Sequence, residues 1–459
     1  KADSPLAGAV GYGFSDSVGA TFKIEARHAQ TESILVNFGK FLQTDPGGVS
    51  QRVNRQGAEA PGAGYALDPD GSYVSWIKAF PENVEALATL HFRGAKPADF
   101  GTVPDARSLM LGIRFSFSKI PEDGYRPRYA DDRIGYFQAG VRDITSDDLR
   151  TQDQHFIYRW NLQKKDPAAE KSPPVKPIVF WVEKTTPKEY REAVRRGILW
   201  WNKAFEQAGF DGAVEARIQP DDADWDPADV RYSVVRWFAA EESAFVGLGP
   251  ARVHPATGQI LDADVMIFGD AIRITKNQYR FGVAPLTEGY GPGESYRCDP
   301  ETCSFGSELR HKAGFAMDVL AARGTIDPNE PVPPEFLEDN VSALVAHEVG
   351  HVLGLRHNFV ASAATPFEKL HDKEWLEARG LQASVMDYTS PNIALKGKPQ
   401  GWYFQKGVGI YDCWAIEYGY KPIEASTPAE ERPHLAKIAA RCGEPGLSFS
   451  TDEDADDLD

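Results

Sequence analysis

The hydrophobic pattern divides the chain into a β-rich first part and a mixed second part. Short apolar segments, partly alternating and separated by Gly and Pro clusters, fill about the first 165 residues, as at 20–26, 33–38 and 108–115. Such segments are typical of strands. Residues 44–72 are rich in Gly, Asp and Pro and predict a long loop. Residues 163–176, with three prolines and several charges, predict a linker.

The second part begins with a buried strand and a long helix. Residues 177–182 are continuously apolar, which predicts the strand. Thr186, Pro187 and Glu189 match a capping box at a helix start. Apolar residues follow at helical spacing until Gly209, which predicts the helix end. Further segments are predicted at residues 213–218, 232–237 and 263–268 (strands) and at residues 285–334 (irregular).

Composition and charge exclude several classes of protein. The 459 residues include 42% hydrophobic and 25% charged positions, an ordinary globular balance. The formal charge of −17 repels nucleic-acid phosphates and anionic lipid. No segment approaches the ~18 consecutive apolar residues of a membrane span. We therefore expect no nucleic-acid partner and no membrane span.

The four cysteines bear on the compartment. Cys298, Cys303, Cys413 and Cys442 are even in number and allow two disulfides, which suits an exported protein. Cys298 and Cys303 enclose a short loop that could close easily. The alternative is four unpaired, partly buried thiols. A zinc ribbon is disfavoured because no second close pair accompanies the first.

The segment with the clearest chemistry is His-Glu-x-x-His-x-x-Gly-x-x-His. On a helix, His347 and His351 are four residues apart and face the same side, so both imidazoles can reach one ion. Gly354 tolerates left-handed backbone angles, so the helix can end there and the chain can return His357 as a third ligand. Three neutral imidazoles leave one position for water, as in a catalytic Zn²⁺ site. Glu348 is then the general base for the zinc-bound water.

A second element lies downstream, at residues 384–388. After the zinc motif, Met386 resembles the Met-turn of the metzincin clan of zinc endopeptidases. Tyr388 resembles the extra zinc ligand of astacins and serralysins, which swings away and stabilises the transition state. That resemblance implies a role as oxyanion stabiliser, and a packed aromatic is the alternative. Asn358, where those two families carry Glu, argues against membership in either.

Further segments resemble the large exported bacterial zinc metalloproteases with an EcxA-like catalytic domain, also called Met-zincin. The similar segments are residues 127–133, 176–180, 201–210, 235–237 and 356–359. The resemblance implies an exported, periplasmic or extracellular protein whose natural chain continues further. The residue pattern predicts a β-rich N-terminal domain over residues 1–165, and the resemblance implies a metzincin-like α/β (α+β) domain over residues 175–459. That domain has a twisted, mostly parallel sheet and an active-site helix, with an upper subdomain at about 175–354 and a lower one at about 355–459.

The clan layout further implies an edge strand that lines the cleft and pairs with the substrate. Residues 258–267 precede the active-site helix and resemble this strand. We therefore expect Ala263, Asp264, Val265 and Met266 to bind a peptide by strand addition. The alternative is an internal strand of the sheet.

Together these features predict a zinc endopeptidase that binds one catalytic Zn²⁺ and acts on a protein or peptide. The alternatives are a zinc amidase or deacylase with a non-protein substrate, and a non-catalytic zinc-containing binding protein. The retained Glu348 and the open three-histidine site disfavour the last. The acidic run at 452–459 predicts a solvated tail, with a Ca²⁺ site as the alternative. Residues 126–137, dense in charge and aromatics, predict a surface turn with Arg–Asp pairing.

Overall fold

The computed structural model describes residues 18–56, 64–94, 103–144, 152–239, 247–269, 305–326 and 332–455, with the single positions 9, 12, 13 and 272. The chain forms two compact units. The first is Lys1–Pro121 with Ala228–Val230, and the second is Glu122–Pro227 with Arg231–Asp459. The compact units divide after Pro121, whereas the predicted N-terminal domain extends to residue 165, so residues 122–165 belong to the second compact unit.

The first unit is built around a three-stranded antiparallel sheet. Its described elements are β1 (Ile24–Arg27), β2 (Ile34–Val36), α1 (Gly39–Leu42), α2 (Val49–Gln56), β3 (Tyr65–Ala79), β4 (Asn83–Gly94) and β5 (Ser108–Ser118). Strand β4 lies between β3 and β5. Its alternate residues Ala86, Ala88, Leu90 and Phe92 are buried, as one face of a strand requires. The predicted β-rich character is confirmed.

The long loop predicted over residues 44–72 is wrong where the structure describes it. Helix α2 and the start of β3 occupy much of that range. The carboxylate of Asp45 accepts hydrogen bonds from the Val49 and Ser50 amides at 2.7 and 2.9 Å. The polar residues that suggested a loop therefore include a helix-capping group.

The second unit is a mixed α/β assembly around a five-stranded sheet. Its described elements are β6 (Gln138–Arg142), β7 (Asp153–Ile157), β8 (Arg159–Trp160), β9 (Ile178–Val182), α3 (Arg191–Leu199), α4 (Asn202–Gln207), β10 (Val214–Ile218), β11 (Ser233–Phe238), β12 (Gly247–Leu248), β13 (Ala251–Val253), β14 (Gln259–Ala263), β15 (Val265–Phe268), α5 (Phe305–Ala322), α6 (Pro334–Val352), α7 (Lys373–Arg379), α8 (Ile410–Tyr420), α9 (Pro428–Ala439) and α10 (Asp452–Ala455). The sheet order is β10-β9-β11-β15-β12. Among the described strands of this sheet, only β12 is antiparallel to its neighbour, so the sheet is mostly parallel, as predicted.

Helices α3 and α6 cross closely. A Cβ on Gly197 of α3 would lie 2.5 Å from the Ser342 carbonyl oxygen of α6. The Ser342 hydroxyl donates to the Ala193 carbonyl at 2.8 Å, and the Trp201 indole donates to the Ala346 carbonyl at 3.0 Å. The lack of a side chain at Gly197 allows the close approach, and the two hydrogen bonds hold α6 against residues 193–201.

The single helix predicted from Thr186 to Gly209 is wrong in part. A 3₁₀ turn at Lys188–Tyr190 precedes α3, and the chain is interrupted again before α4. The capping box is not formed, because Pro187 is extended (ψ 137°) and is itself the N-cap of the 3₁₀ turn. The Thr186 hydroxyl has no hydrogen-bond partner. Gly209, with φ +96°, follows α4, so the end is correct.

Two other segments are more ordered than predicted. The linker expected at 163–176 is a hydrogen-bonded loop. The backbone amide of Lys165 donates to the Pro173 carbonyl at 2.9 Å, and the amide of Val175 donates to the Gln163 carbonyl at 2.8 Å. The irregular segment expected at 285–334 contains α5. No helix within the described residues is long and apolar enough to cross a membrane.

The cysteines give no disulfide in the described part of the chain. Cys413 is buried and Cys442 is half-buried, and both are free thiols. The expectation that Cys413 and Cys442 take part in disulfides is therefore wrong. Cys298 and Cys303 lie outside the described residues.

The segment at 126–137 is not a surface turn. Arg128 is 2% exposed and Tyr136 is 1% exposed. The Arg128 guanidinium pairs with the fully buried Glu431 of α9 at 2.8 Å. The predicted pairing of Arg133 with Asp131 is present, at 2.6 Å. The many charges in this segment suggested exposure to solvent. The charge of Arg128 is instead compensated by Glu431, about 300 positions later in the chain.

Candidate metal centre

Helix α6 carries the first two histidines of the motif, and the third follows a sharp turn. His347 and His351 are buried on α6, which ends at Val352. Gly354 has φ +103°, and a Cβ there would overlap the Tyr158 carbonyl oxygen. Only glycine fits this left-handed and crowded position, so the predicted helix break is confirmed.

Two carbonyl groups at and just after the end of α6 accept hydrogen bonds from residues that precede β9 in the chain. The Trp160 indole donates to the Val352 carbonyl at 2.8 Å. The Phe137 amide donates to the Gly354 carbonyl at 2.8 Å. The Phe137 ring also lies 5.8 Å from the His351 ring, between centroids. Phe137 and Trp160 therefore stabilise the turn that leads from α6 to His357.

Each motif histidine has an oxygen partner at Nδ1. The pairs are His347 with the Val385 carbonyl (2.7 Å), His351 with the Leu355 carbonyl (2.9 Å) and His357 with the Asp452 carboxylate (2.8 Å). Because these oxygens accept, Nδ1 carries the proton and Nε2 keeps its lone pair. One ring nitrogen from each histidine lies within 4.8 Å of the other two. The three lone pairs are thus available to one ion.

The electrostatics of the site keep the two histidines of α6 neutral. Burial, then the neighbouring histidines, lowers the pKa of His347 well below its ordinary value. Burial and His357 lower the pKa of His351 to about 3. The Nε2 of His351 is buried and has no hydrogen-bond partner among the residues that the structure describes. Neutral nitrogen donors with such a lone pair suit zinc, so the residues present fit this metal.

Glu348 follows His347 on α6 and is fully buried. A Cβ on Gly247 of β12 would overlap its Oε1, and a Cβ on Gly249 would lie 2.6 Å from its carbonyl oxygen. The two glycines therefore let β12 approach the carboxylate closely. Sequence reasoning missed this contact, although the Gly-x-Gly spacing beside a strand could have signalled a close backbone approach.

The predicted substrate strand is not an edge strand in the described part of the chain, which favours the alternative of an internal strand. Val265 and Met266 belong to β15, which lies between β11 and β12. Ala263 belongs to β14, which lies between β13 and β8. Asp264 accepts a hydrogen bond from the Val234 amide at 3.0 Å. Strand β12 precedes β15 in the sequence and pairs with it, and β12 and β10 are the two edge strands among the described strands of this sheet.

The Met-turn residue lies against the helix of the triad. Met386 is fully buried, and a Cβ on Gly350 would overlap its Sδ. The buried carboxylate of Asp412 accepts from the Ser384 hydroxyl at 2.6 Å and from the Val385 amide at 2.9 Å. Since the Val385 carbonyl contacts His347, the N-terminus of α8 anchors the turn that orients the first histidine.

Tyr388 lies at the metal-facing side of His357. Its hydroxyl is 3.0 Å from the His357 Nε2, and the two ring centroids are 4.8 Å apart. The ring also packs against Phe359, with centroids 5.0 Å apart. The side chain is therefore both a packed aromatic and a hydroxyl placed at a ligand nitrogen.

Asp452 contacts the third histidine, and the sequence did not predict this contact. Asp452 was placed in a solvated tail, but its carboxylate is only 33% exposed and bonds His357, while Arg356 pairs with both Asp452 and Glu453. Burial raises the pKa of this carboxyl, but the His357 bond and the Arg356 charge bring it below its ordinary value. No local signal marks the contact, which joins residues 95 positions apart.

Comparison with known proteins agrees with this geometry. Residues 329–459 match a family model described as Met-zincin. Residues 1–165 match a family model described as a domain of unknown function (DUF5117). No curated protein and no solved structure matches the chain. The Met-zincin match and the histidine triad together support a metzincin-type, zinc-binding domain in the C-terminal part of the chain.

Proposed function

We propose that this protein is a zinc-dependent endopeptidase. One observation carries the proposal: three imidazoles bring one ring nitrogen each within 4.8 Å of the others, and the buried Glu348 follows the first of them on the same helix. All Nδ1 atoms are occupied by oxygen acceptors, so the set is oriented before any ion binds. An open three-histidine site is typical of catalytic rather than structural zinc.

The residues of the site have distinct roles in hydrolysis. Bound zinc supplies a Lewis acid that polarises a carbonyl and lowers the pKa of water to about 7. Glu348 takes the proton from the attacking water and then gives it to the leaving amine. The Tyr388 hydroxyl, next to His357, donates to the oxyanion that develops on the scissile carbonyl.

The edge strand β12 is the proposed site of peptide binding. It contacts Glu348 through Gly247, and within the described residues it pairs on one side only, with β15. An extended peptide could add to its other side through main-chain hydrogen bonds. Such a substrate would run past the triad, so backbone recognition favours a polypeptide over a small acylated molecule.

The direct test is metal-dependent cleavage by the full chain. We expect casein or a quenched fluorescent peptide library to be cleaved, cleavage to stop when a chelator removes the metal, and stoichiometric zinc to restore it. Cleavage of acylated sugars or acylated amino acids without peptide hydrolysis would instead identify an amidase or deacylase. Tight zinc binding without turnover of either substrate class would identify a non-catalytic binding protein.

Tyr388→Phe tests the proposed oxyanion donor. We expect kcat to fall about 100-fold, as for loss of one such donor, with KM and zinc affinity nearly unchanged. The matched control is Tyr403→Phe, since the Tyr403 ring packs on Phe336 and contacts none of the motif histidines. Steady-state kinetics on one peptide would measure both variants. Equal kcat in the two would leave Tyr388 as a packed aromatic only.

A further inference from the structure

We propose that Asp452 is a positioning residue of the metal centre, whose carboxylate sets the orientation and the tautomer of His357. The inference rests on zinc binding by the triad, which the proposed function also requires. It gives the acidic C-terminal segment a role at a site 95 residues earlier in the chain.

His357 needs a positioning partner more than the other two ligands. His347 and His351 lie on α6, where the helix fixes their backbones. Their Nδ1 atoms are bonded to main-chain carbonyls that the fold holds in place. His357 lies beyond the end of α6, and its Nδ1 partner is a side chain, Asp452. Its ring orientation therefore depends on a contact that a single substitution can remove.

The segment that carries Asp452 is itself docked onto the loop of His357. The Asn358 side chain donates to the Ser448 carbonyl at 3.0 Å and accepts from the Ser450 amide at 3.2 Å. The Phe359 amide donates to the Ser450 carbonyl at 2.8 Å. Asn358 thus holds residues 448–450 beside His357, which brings the Asp452 carboxylate within hydrogen-bond distance of that histidine. Asn358 is also the residue at which the chain departs from astacins and serralysins.

The chemistry of the contact explains its effect on the metal. A carboxylate that accepts from Nδ1–H holds the imidazole in the tautomer that ligates through Nε2, and it raises the basicity of that nitrogen. The Asp452 carboxylate also lies 3.6 Å from the Arg356 guanidinium and accepts from the Thr451 hydroxyl at 3.2 Å. These contacts hold the carboxylate toward His357.

Asp452→Asn in the full chain tests the proposal. Asparagine keeps the shape but removes the charge, and its amide can turn a donor toward Nδ1. We expect the zinc dissociation constant, measured by competition with a chromogenic chelator, to rise about 10- to 100-fold. We also expect the visible absorption spectrum of the cobalt-substituted protein to change, because the third ligand is no longer oriented.

Glu453→Gln is the matched control. Glu453 is adjacent, has the same charge and pairs with Arg356, and its side chain is 67% exposed. We expect its zinc affinity and cobalt spectrum to remain those of the wild type. Equal zinc affinity and equal cobalt spectra in the two variants would overturn the proposal. So would an Asp452→Asn apo-protein that fails to fold, checked by thermal unfolding, while the Glu453→Gln apo-protein folds, because Asp452 would then act on the fold.

The readout separates this inference from the proposed function. A wild type that binds zinc but cleaves no peptide would refute the peptidase, and the Asp452 effect on zinc would still be measured. A peptidase whose Asp452→Asn variant binds zinc normally would refute the positioning role alone.

Discussion

Peptide hydrolysis should fall by roughly 10²- to 10⁴-fold in Glu348→Gln, while zinc remains bound. Glutamine has nearly the shape of glutamate but cannot accept the proton of the attacking water. The three ligating imidazoles and their Nδ1 partners do not involve Glu348, so the metal site should persist. Casein cleavage and bound zinc, measured on the same sample, would test both halves of the expectation.

The control for this substitution lies on the same helix. Glu338 of α6 is 41% exposed and its carboxylate is 3.7 Å from the Arg196 guanidinium, an ion pair with little effect on stability. Glu338→Gln should cleave at the wild-type rate. A Glu348→Gln protein that still cleaves casein would show that another group takes the proton, and the assigned mechanism would be wrong.

The largest effect on stability is expected from Arg128→Ala, which should lower the free energy of unfolding by about 3–5 kcal/mol. Arg128 is 2% exposed and Glu431 is 0% exposed. The guanidinium also donates to the Tyr418 carbonyl at 2.8 Å and to the Lys421 carbonyl at 3.1 Å. Removing it takes a donor from two carbonyls and leaves the buried Glu431 carboxylate to the more exposed Arg126, and a buried charge that is so poorly compensated is costly.

Arg133→Ala is the matched control, because it removes an arginine from the same segment. Its guanidinium is 43% exposed and pairs with Asp131 at 2.6 Å. A pair so open to solvent should contribute about 0–1 kcal/mol. Urea unfolding followed by tryptophan fluorescence would compare the two variants. Similar losses in both would mean that the buried network adds nothing beyond a surface pair.

The local part of the metal site was predictable from the sequence. The four-residue spacing of His347 and His351 and the glycine before His357 depend on helix geometry and on backbone freedom at one position. Both are short-range properties, and the structure bears them out. Strand positions at residues 177–182, 213–218 and 232–237 were likewise close to the observed strands. The first is a continuous apolar run and the other two are apolar runs with single polar residues between, and both patterns are typical of strands.

Long-range contacts were not predictable in the same way. The pattern of one sequence does not show which strand lies at the edge of a sheet. Residues 258–267 were expected to form an edge strand, whereas β12 and β10 are the edges among the described strands of the five-stranded sheet. Dense charge at 126–137 and at 452–459 suggested solvent, because local composition cannot show a distant partner. Glu431 and His357 supply those partners.

The sequence by itself determined the residues for metal binding, which are three histidines, a glutamate and a glycine. One helical turn and the end of the helix at the glycine bring them into one site. The tertiary structure alone decided what surrounds that site. It brought β12 against Glu348 and docked Asp452 on His357. The physical reason is range, since backbone geometry relates residues a few positions apart, whereas burial and hydrogen bonding select partners only once the whole chain has packed.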